Sequence, residues 1–273
     1  MLKAITREVS TQIARCELTY RQREGVDYER AVRQHEAYCD LLRRSGADVL
    51  SLAACEENPD CCFVADTAVV LDEVAVVASM GAASRRSETT AVERILSAHR
   101  PVERIAPPAT LDGGDVLLLG KQLFVGRSKR TNARGIESLA RIVKPFGYSV
   151  TPVNVNGSLH LTTAASALDD ETVLVNPRWI DAAPFARFHV LHAPEDEPWA
   201  ASTLRVGDTL CVEAGAPQTL ELVARHYARV EVLDISEFRK AEGSLPCLSI
   251  LFRHTPPAHL KQSTRNKEAT HAN

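Results

Sequence analysis

The order in which strand-like and helix-like segments recur constrains the fold of this chain more than any other feature. Two short apolar runs, an amphipathic stretch and a further apolar run form a β-β-α-β unit, and such units follow one another at intervals of roughly fifty residues. One unit reads "TAVVLDEVAVVASM", "SETTAVERILSAH" and "VERIA". The next reads "DVLLLGKQLFVG", with Gly120 in a hairpin turn, then "RTNARGIESLARIVKPFG" and "YSVTPVNV".

The rest of the chain carries weaker versions of the same order. "DYERAVRQHEAYCDLLRRSG" predicts a helix that Asp27 caps and Gly46 ends, and the strand "ADVLSLA" follows it. "LHLTTAASALDDETVLVN" precedes a short helix predicted at 184–188 and the strand "FHVLHA". "TLRVGDTLCVEAG", "PQTLELVARHYA" and "VEVLDI" form the last copy.

Repetition of this kind predicts a ring. The first segment and the run after Cys247 can complete the set, so that each unit buries its apolar face against its neighbours, as in propeller-like folds. Loops from several units would then meet at a central pocket. We expect one α/β domain over residues 1–253, followed by a flexible polar tail over residues 254–273.

Composition narrows the classes of function. The 273 residues carry a formal net charge of -3 without blocks of like charge, which argues against nucleic acid and membrane surfaces as partners. Neither a signal-like N-terminus nor an apolar stretch of about 18 residues is present, so we expect a cytoplasmic protein with a small-molecule substrate. The seven cysteines lack paired C-x-x-C spacing, so we expect no disulfide framework and no metal, and Cys247 remains a candidate nucleophile.

Acidic loops indicate a cationic ligand. "NPDCCFVADTAVV" places Asp60 and Asp66 before a strand, where turn and cap roles are equally ordinary. In "TLDGGDV" two glycines permit close backbone approach and can fix the direction of Asp112 and Asp115. The stretch has too few alternating oxygen ligands for a calcium loop, and its carboxylates would repel a phosphate.

Basic and nucleophilic residues complete the set. "ASRRSE" and "GRSKRTN" supply Arg85 and Arg130 as candidate anion clamps, although each judged alone also suits a solvated surface. His160 lies between two leucines at a predicted strand start, where a core histidine is the ordinary alternative to an acid/base. Cys247 follows a Gly-Ser-Leu-Pro bend. Together these residues describe a pocket for a zwitterion with a cationic side chain.

Five stretches of the chain also resemble one family in order and spacing. "NPDCCFVADTAVV", "GAASRRSE", "TLDGGDVLLLGKQLFVGRSKRTNARG", "LHLTT" and "EFRKAEGSLPCLSI" are similar to the dimethylarginine dimethylaminohydrolases, members of the guanidino-group-modifying superfamily. The likeness covers roughly residues 1–252. It implies a five-bladed α/β propeller of ββαβ units that hydrolyses N-methylated L-arginine to L-citrulline and methylamine or dimethylamine through a covalent cysteine intermediate, without a cofactor. A homodimer is compatible with the resemblance.

The resemblance also assigns roles to residues. It implies that Cys247 is the nucleophile, His160 the acid/base and Asp112 the carboxylate that orients His160 or the substrate. The implied substrate contacts are Asp66 at the guanidinium, Asp60 at the amino end, Arg85 and Arg130 at the α-carboxylate, Leu18 on a mobile lid and the backbone of Ala241.

Two positions depart from the family pattern, and other functions stay open. Many relatives have Glu where this chain has Ala65. Many also have His-Leu-Lys-Ser where this chain has His160-Leu161-Thr162-Thr163. Arginine deiminase or another guanidino hydrolase is the alternative within the enzyme class, and a non-catalytic arginine-binding protein is the alternative outside it. A papain-like hydrolase does not fit, because its cysteine precedes its histidine.

Overall fold

The computed structural model describes residues 1–254 and consists of five three-stranded sheets. All but the first residue of the predicted tail lies outside the described residues. The strands are β1 (Leu2–Arg7), β2 (Ala47–Leu52), β3 (Ala68–Val70), β4 (Ala75–Val77), β5 (Val102–Arg104), β6 (Val116–Leu119), β7 (Gln122–Arg127), β8 (Ser149–Asn154), β9 (Ala165–Ala167), β10 (Thr172–Val175), β11 (His189–His192), β12 (Leu204–Val206), β13 (Thr209–Glu213), β14 (Val230–Leu233) and β15 (Ile250–Arg253).

Every sheet has the same topology. Its middle strand pairs antiparallel with one neighbour and parallel with the other, as β7 does with β6 and β8. A parallel pair requires a crossover connection, which helices provide in four of the five sheets. These are α1 (Tyr28–Arg44), α2 (Thr89–Ser97), α3 (Ala133–Val143) and α5 (Pro217–Ala224). The predicted ββαβ order is therefore confirmed, and the fold is a five-bladed α/β propeller.

The last strand closes the ring. β1 lies between β15 and β2, with Ile5 opposite Ile250 on the antiparallel side and opposite Leu50 on the parallel side. The first blade is thus assembled from both ends of the described chain. This arrangement confirms the prediction that the run after Cys247 completes the first unit.

Local signals set the ends of several elements. The Asp27 side chain accepts a hydrogen bond from the Arg30 backbone N–H at 3.0 Å and caps α1, as predicted. Gly46 and Gly120 have φ values of +88° and +58°, which favour glycine at the end of α1 and in the β6–β7 hairpin. The helix predicted at 184–188 is instead a single 3-10 turn at Ala183–Phe185, because this short connection carries a proline and only one fully buried aromatic side chain, Phe185.

The core is divided among the junctions between blades. One cluster joins Val69 and Val76 of the second blade to Leu123, Val125 and Leu139 of the third. Another joins the β15 end of the first blade to α2 of the second. Each blade buries apolar surface against the next, so the ring depends on all five. None of the helices within residues 1–254 is both long enough and apolar enough to span a bilayer.

Four blades begin with a short helical turn at one end of the ring. The turns are Val64–Thr67 before β3, Gly113–Asp115 before β6, α4 (Leu161–Ala164) before β9 and Leu245–Leu248 before β15. The sixth α-helix within residues 1–254, α6 (Ser236–Lys240), precedes the last of these turns. Because the turns hold equivalent positions in successive blades, side chains that they carry can meet near the axis.

Candidate active site

Three of the predicted site residues meet at the inner ends of these turns. A carboxylate oxygen of Asp66, one of Asp112 and a ring nitrogen of His160 all lie within 4.8 Å of one another. All three residues are almost completely buried. The three residues are far apart in sequence, and the blade repeat is what brings them together.

His160 lies between the two carboxylates. Its Nε2 is 3.0 Å from Asp112 Oδ2, and its Nδ1 is 3.5 Å from Asp66 Oδ1. Burial alone would lower the pKa of His160, but the charge of Asp66 and the hydrogen bond to Asp112 outweigh it and raise the pKa from 6.5 to about 9. The ring is therefore an imidazolium at neutral pH and has a proton to give.

Asp112 is fixed in direction by backbone groups. Its Oδ1 accepts a hydrogen bond from the Gly81 N–H at 2.8 Å, and its own N–H donates to Thr131 Oγ1 at 3.1 Å. The remaining oxygen faces His160. One oxygen of Asp112 is thus held by the backbone, and the other is paired with the His160 ring.

The two glycines of "TLDGGDV" permit close approach, as the sequence suggested, rather than a positive φ. A Cβ on Gly113 would lie 2.1 Å from the carbonyl oxygen of Ala65. A Cβ on Gly114 would lie 2.4 Å from Asp66 Oδ1 and 2.8 Å from His160 Nδ1. Any side chain at Gly114 would displace Asp66 or His160.

The turn after His160 differs from the prediction. His160 precedes the short helix α4 and not a strand. The reason is Asp115, whose Oδ1 accepts a hydrogen bond from the Leu161 N–H at 3.0 Å and so caps this turn from another blade. Asp115 Oδ2 also accepts a hydrogen bond from Ser128 Oγ at 2.6 Å, which links the loop before Arg130 to the same carboxylate.

Arg85 is engaged mainly with the protein. Its guanidinium donates to Asp66 Oδ2 at 2.7 Å and to Glu88 Oε2 at 2.9 Å. It also donates to the carbonyl oxygens of Asp60 and Phe63. With His160, Arg85 holds the pKa of Asp66 below its ordinary value although burial acts in the opposite direction. Arg85 therefore keeps Asp66 ionised.

Arg130 differs from Arg85 in its partners. It is 7% exposed, and its buried Nη1 has no hydrogen-bond partner among the described residues. Burial raises the pKa of Asp60, and the positive charge of Arg130 acts against this rise; the same charge helps to lower the pKa of Asp66, so Arg130 lies close to both carboxylates. A buried guanidinium nitrogen without a partner is what a carboxylate ligand would satisfy.

Cys247 lies in the turn Leu245–Leu248 and is 4% exposed. Its Sγ is 3.1 Å from Ser244 Oγ. Burial and the nearby charge of Asp66 raise the pKa of Cys247 to about 11, although the hydrogen bonds from Ser244 act against this. The thiol is thus protonated at neutral pH, and Asp66 is the charged residue whose influence reaches both Cys247 and His160.

The remaining predicted residues are buried or pack against buried residues. Ala241 and Cys247 belong to one buried cluster, against which Leu18 packs. Asp60 is buried, and its carboxylate accepts a hydrogen bond from the Glu17 N–H at 3.0 Å. Leu18 therefore belongs to a segment, residues 17–21, that is anchored near the site.

Sequence reasoning missed three residues that support the site. Glu88 lies three residues after Arg85 on the same turn, a spacing typical of ion pairs that could have indicated it. Ser244 lies in the bend before Cys247, and nothing in that short stretch indicates that its hydroxyl contacts the thiol. Glu242, described below, binds backbone N–H groups more than 200 residues away, and no local pattern indicates it.

The two departures from the family pattern line one cavity. Ala65 and Thr162 face a cavity of about 180 Å³ whose other walls include Gly113, Gly114 and Pro246. Thr162 Oγ1 donates to the Gly114 carbonyl oxygen at 2.7 Å. Gly114, which lines this cavity, also lies next to the side chains of Asp66 and His160.

The cluster of Asp66, Asp112 and His160 is the one group within residues 1–254 that could hold a metal ion. Asp66, Asp112 and His160 could each supply a ligand atom, but only with a neutral imidazole. With the pKa of His160 raised to about 9, the imidazolium competes with a metal at neutral pH.

Comparisons with known proteins agree with this geometry. Residues 6–192 match the family model described as "N,N dimethylarginine dimethylhydrolase, eukaryotic". The N(G),N(G)-dimethylarginine dimethylaminohydrolase of Streptomyces coelicolor is 39% identical over 92% of this chain and 97% of its own length. The Pseudomonas aeruginosa enzyme of that name is 34% identical over 83% of this chain and 90% of its own.

A solved structure extends the agreement to three dimensions. A cysteine-to-serine mutant of the P. aeruginosa enzyme, complexed with citrulline, superposes with a TM-score of 0.88 at 33% identity. The match covers 92% of this chain and all of the other. With the sequence matches and the shared fold, this chain belongs to the dimethylarginine dimethylaminohydrolase family.

Proposed function

We propose that the protein hydrolyses N-methylated L-arginine to L-citrulline and methylamine or dimethylamine. The observation that carries the proposal is a pair of buried atoms of opposite charge without hydrogen-bond partners among the described residues. They are Asp66 Oδ1, beside His160, and Arg130 Nη1. Buried polar atoms are rarely left unpaired unless a ligand or water completes them. An amino acid with a guanidinium side chain supplies both missing partners.

The contacts support one orientation of the substrate. The guanidinium donates to Asp66 and Asp112, which burial makes strong acceptors. Arg130 binds the α-carboxylate directly, while Arg85 acts mainly by fixing Asp66. Asp60 and the Ala241 backbone lie toward the amino end, and Leu18 covers the bound molecule.

The protonation states suit a mechanism in which the substrate activates the thiol. In the free protein the Cys247 thiol is neutral, since its pKa is about 11. A bound guanidinium places a positive charge beside it, which favours the thiolate, and the proton leaves to solvent. The thiolate attacks the guanidinium carbon to form a C–S bond, and the cationic and anionic charges cancel in a neutral tetrahedral adduct.

His160 then acts as the acid. The imidazolium gives its proton to the methylated nitrogen, the C–N bond breaks, and a neutral amine leaves an S-alkylthiouronium cation on Cys247. The neutral imidazole next takes a proton from water as the hydroxide oxygen bonds to the carbon. The C–S bond then breaks with its electron pair going to sulfur, and the hydroxyl proton passes to that sulfur, which releases neutral citrulline and regenerates the Cys247 thiol. Asp112 and Asp66 stabilise the imidazolium before and after each transfer.

The relatives agree with this assignment. The P. aeruginosa and S. coelicolor proteins carry the name of the proposed activity, and a solved relative holds citrulline, the proposed product. A second solved dimethylarginine dimethylaminohydrolase is an adduct with S-methyl-L-thiocitrulline. Both molecules are amino acids with a planar carbon at the reacting end.

Citrulline formation tests the proposal. Arginine, monomethylarginine and asymmetric dimethylarginine are supplied at equal subsaturating concentrations to the wild type, Cys247→Ser and the control Cys55→Ser. We expect the methylated substrates to be turned over faster than arginine, Cys247→Ser to be inactive and Cys55→Ser to resemble the wild type. Faster turnover of arginine would favour a deiminase instead, and no citrulline from any of the three would favour a non-catalytic arginine-binding protein.

A further inference from the structure

We infer that Glu242 is a positioning residue that holds the 17–21 segment, and with it Leu18, over the active site. Its Oε1 accepts hydrogen bonds from three consecutive backbone N–H groups, those of Thr19 at 3.0 Å, Tyr20 at 2.5 Å and Arg21 at 2.6 Å. Three successive N–H groups directed at one oxygen form an anion-binding concavity. The inference rests on the proposed function only for the kinetic effect described below.

Within residues 1–254 the Glu242 carboxylate accepts hydrogen bonds only from this segment. Glu242 is 4% exposed, and its other oxygen, Oε2, has no partner among the described residues. Within residues 1–254 the carboxylate therefore has no hydrogen bond to the residues next to it in sequence. A buried carboxylate is costly unless it is hydrogen-bonded, so the bonds to residues 19–21 are what make its burial tolerable.

The backbone at Glu242 is also unusual. Its φ of +59° is the only positive value at a residue other than glycine within residues 1–254. Glutamate is disfavoured in this left-handed conformation, and such strain persists where the side chain has a function. The residue immediately precedes Gly243 and follows Ala241, the proposed backbone contact to the substrate.

A second carboxylate, that of Asp60, binds the other end of the same segment. Asp60 accepts a hydrogen bond from the Glu17 N–H, so acidic side chains anchor both ends of residues 17–21. Burial raises the pKa of Cys16, the residue before this segment, and the charges of Asp60 and Glu242 add to the rise, so both carboxylates lie near Cys16. Leu18 lies between the two anchors and packs against the cluster that contains Cys247.

The test uses Glu242→Gly and Glu242→Gln, with Glu24→Gln as the matched control. Glycine accepts a positive φ without strain, so Glu242→Gly removes the carboxylate and is expected to leave the melting temperature unchanged or higher. Glu242→Gln keeps one oxygen acceptor without the charge. Glu24 lies in the same part of the chain, and its carboxylate pairs only with the Arg21 side chain at an exposed position.

Two measurements that need no turnover report on the segment. We expect trypsin to cleave after Arg21 and Arg23 about tenfold faster in Glu242→Gly than in the wild type, with Glu242→Gln between them and Glu24→Gln unchanged. Alkylation of Cys247 should accelerate in the same order. Equal cleavage and labelling rates in the wild type and Glu242→Gly would overturn the inference.

Kinetics then separate positioning from general destabilisation. We expect the KM for methylated arginine to rise about tenfold in Glu242→Gly while kcat changes by less than about threefold, because the chemical groups stay in place. A fall in kcat with KM unchanged would overturn the positioning role. If the wild type forms no citrulline the proposed function fails, whereas the cleavage and labelling results still decide the inference.

Discussion

Neutralising Asp66 should return the pKa of His160 from about 9 to the ordinary value of 6.5 or below. In Asp66→Asn the side chain keeps its size and an acceptor for Arg85, and Arg85 keeps Glu88 at 2.9 Å as an ion-pair partner. What is lost is the negative charge 3.5 Å from His160 Nδ1. The change therefore acts mainly on the electrostatics of the imidazole.

The magnitude follows from the distance. Two unit charges 3.5 Å apart attract each other by roughly 5 kcal/mol at an effective dielectric constant of about 20. The rise in the pKa of His160 from 6.5 to about 9 corresponds to roughly 3 kcal/mol at about 1.4 kcal/mol per pKa unit. The contribution of Asp66 is thus comparable to the whole rise. Without it, burial of the ring offsets the effect of Asp112.

NMR titration of the histidine ring resonances measures the pKa directly, with His160→Gln to assign the signal. The control is Asp60→Asn, which removes a buried negative charge that is not among the main influences on the pKa of His160. A pKa of 8 or above in Asp66→Asn would refute the electrostatic account of the acid. The same value in the wild type and Asp60→Asn is expected.

The same shift predicts how stability depends on pH. The folded-state pKa of His160, about 9, lies above the unfolded value of 6.5. Protonated His160 therefore stabilises the fold fully below pH 6.5, and this contribution is lost as the pH rises through 9. Urea unfolding between pH 6 and 9.5 should show a decline in the wild type that is much smaller in Asp66→Asn.

Other residues lead to three further predictions. An amidine-bearing electrophile should label Cys247 and not Cys55, with protection by substrate; mass mapping checks this, and equal labelling would contradict the nucleophile assignment. Arg130→Ala should raise KM by about 10-fold or more, because a charge-assisted bond is worth about 1.5–3 kcal/mol, whereas Arg85→Ala should lower the unfolding free energy by about 3–5 kcal/mol; the opposite pattern would exchange their roles. Ala65→Glu should lower the free energy of unfolding, measured in urea, by about 2 kcal/mol. Adding Thr162→Lys should recover at least half of that loss, and no recovery would contradict a contact between the two positions across the cavity.

The sequence predicts the blades because each carries its own alternation of apolar runs. It also predicts which residues approach one another once the family resemblance is recognised, as with Asp66, Asp112 and His160. It does not predict the turn at His160, since the cap comes from Asp115 in another blade. Contacts of this kind depend on the closed ring and leave no local periodic signal.

The sequence also does not show that Arg85 and Arg130 have different partners. Arg85 and Arg130 follow the middle strands of successive blades and look equivalent in sequence. The structure distinguishes them by their partners, since Asp66 and Glu88 bind the guanidinium of Arg85. Nη1 of Arg130 has no hydrogen-bond partner within residues 1–254. Glu242 was missed for a similar reason, because its three backbone donors lie at the opposite end of the described chain.

Closure of the ring by β15 has a consequence for when the protein becomes active during its synthesis. Cys247 lies in the turn directly before β15, and β15 pairs with β1, more than 240 residues earlier. Until Ile250 has left the ribosome, β1 has an unpaired edge, and the turn that carries Cys247 has no fixed place in the ring. A shortened chain that ends before β15 would therefore lack both the closed ring and a positioned thiol. Completion of the fold and acquisition of activity are then a single late event.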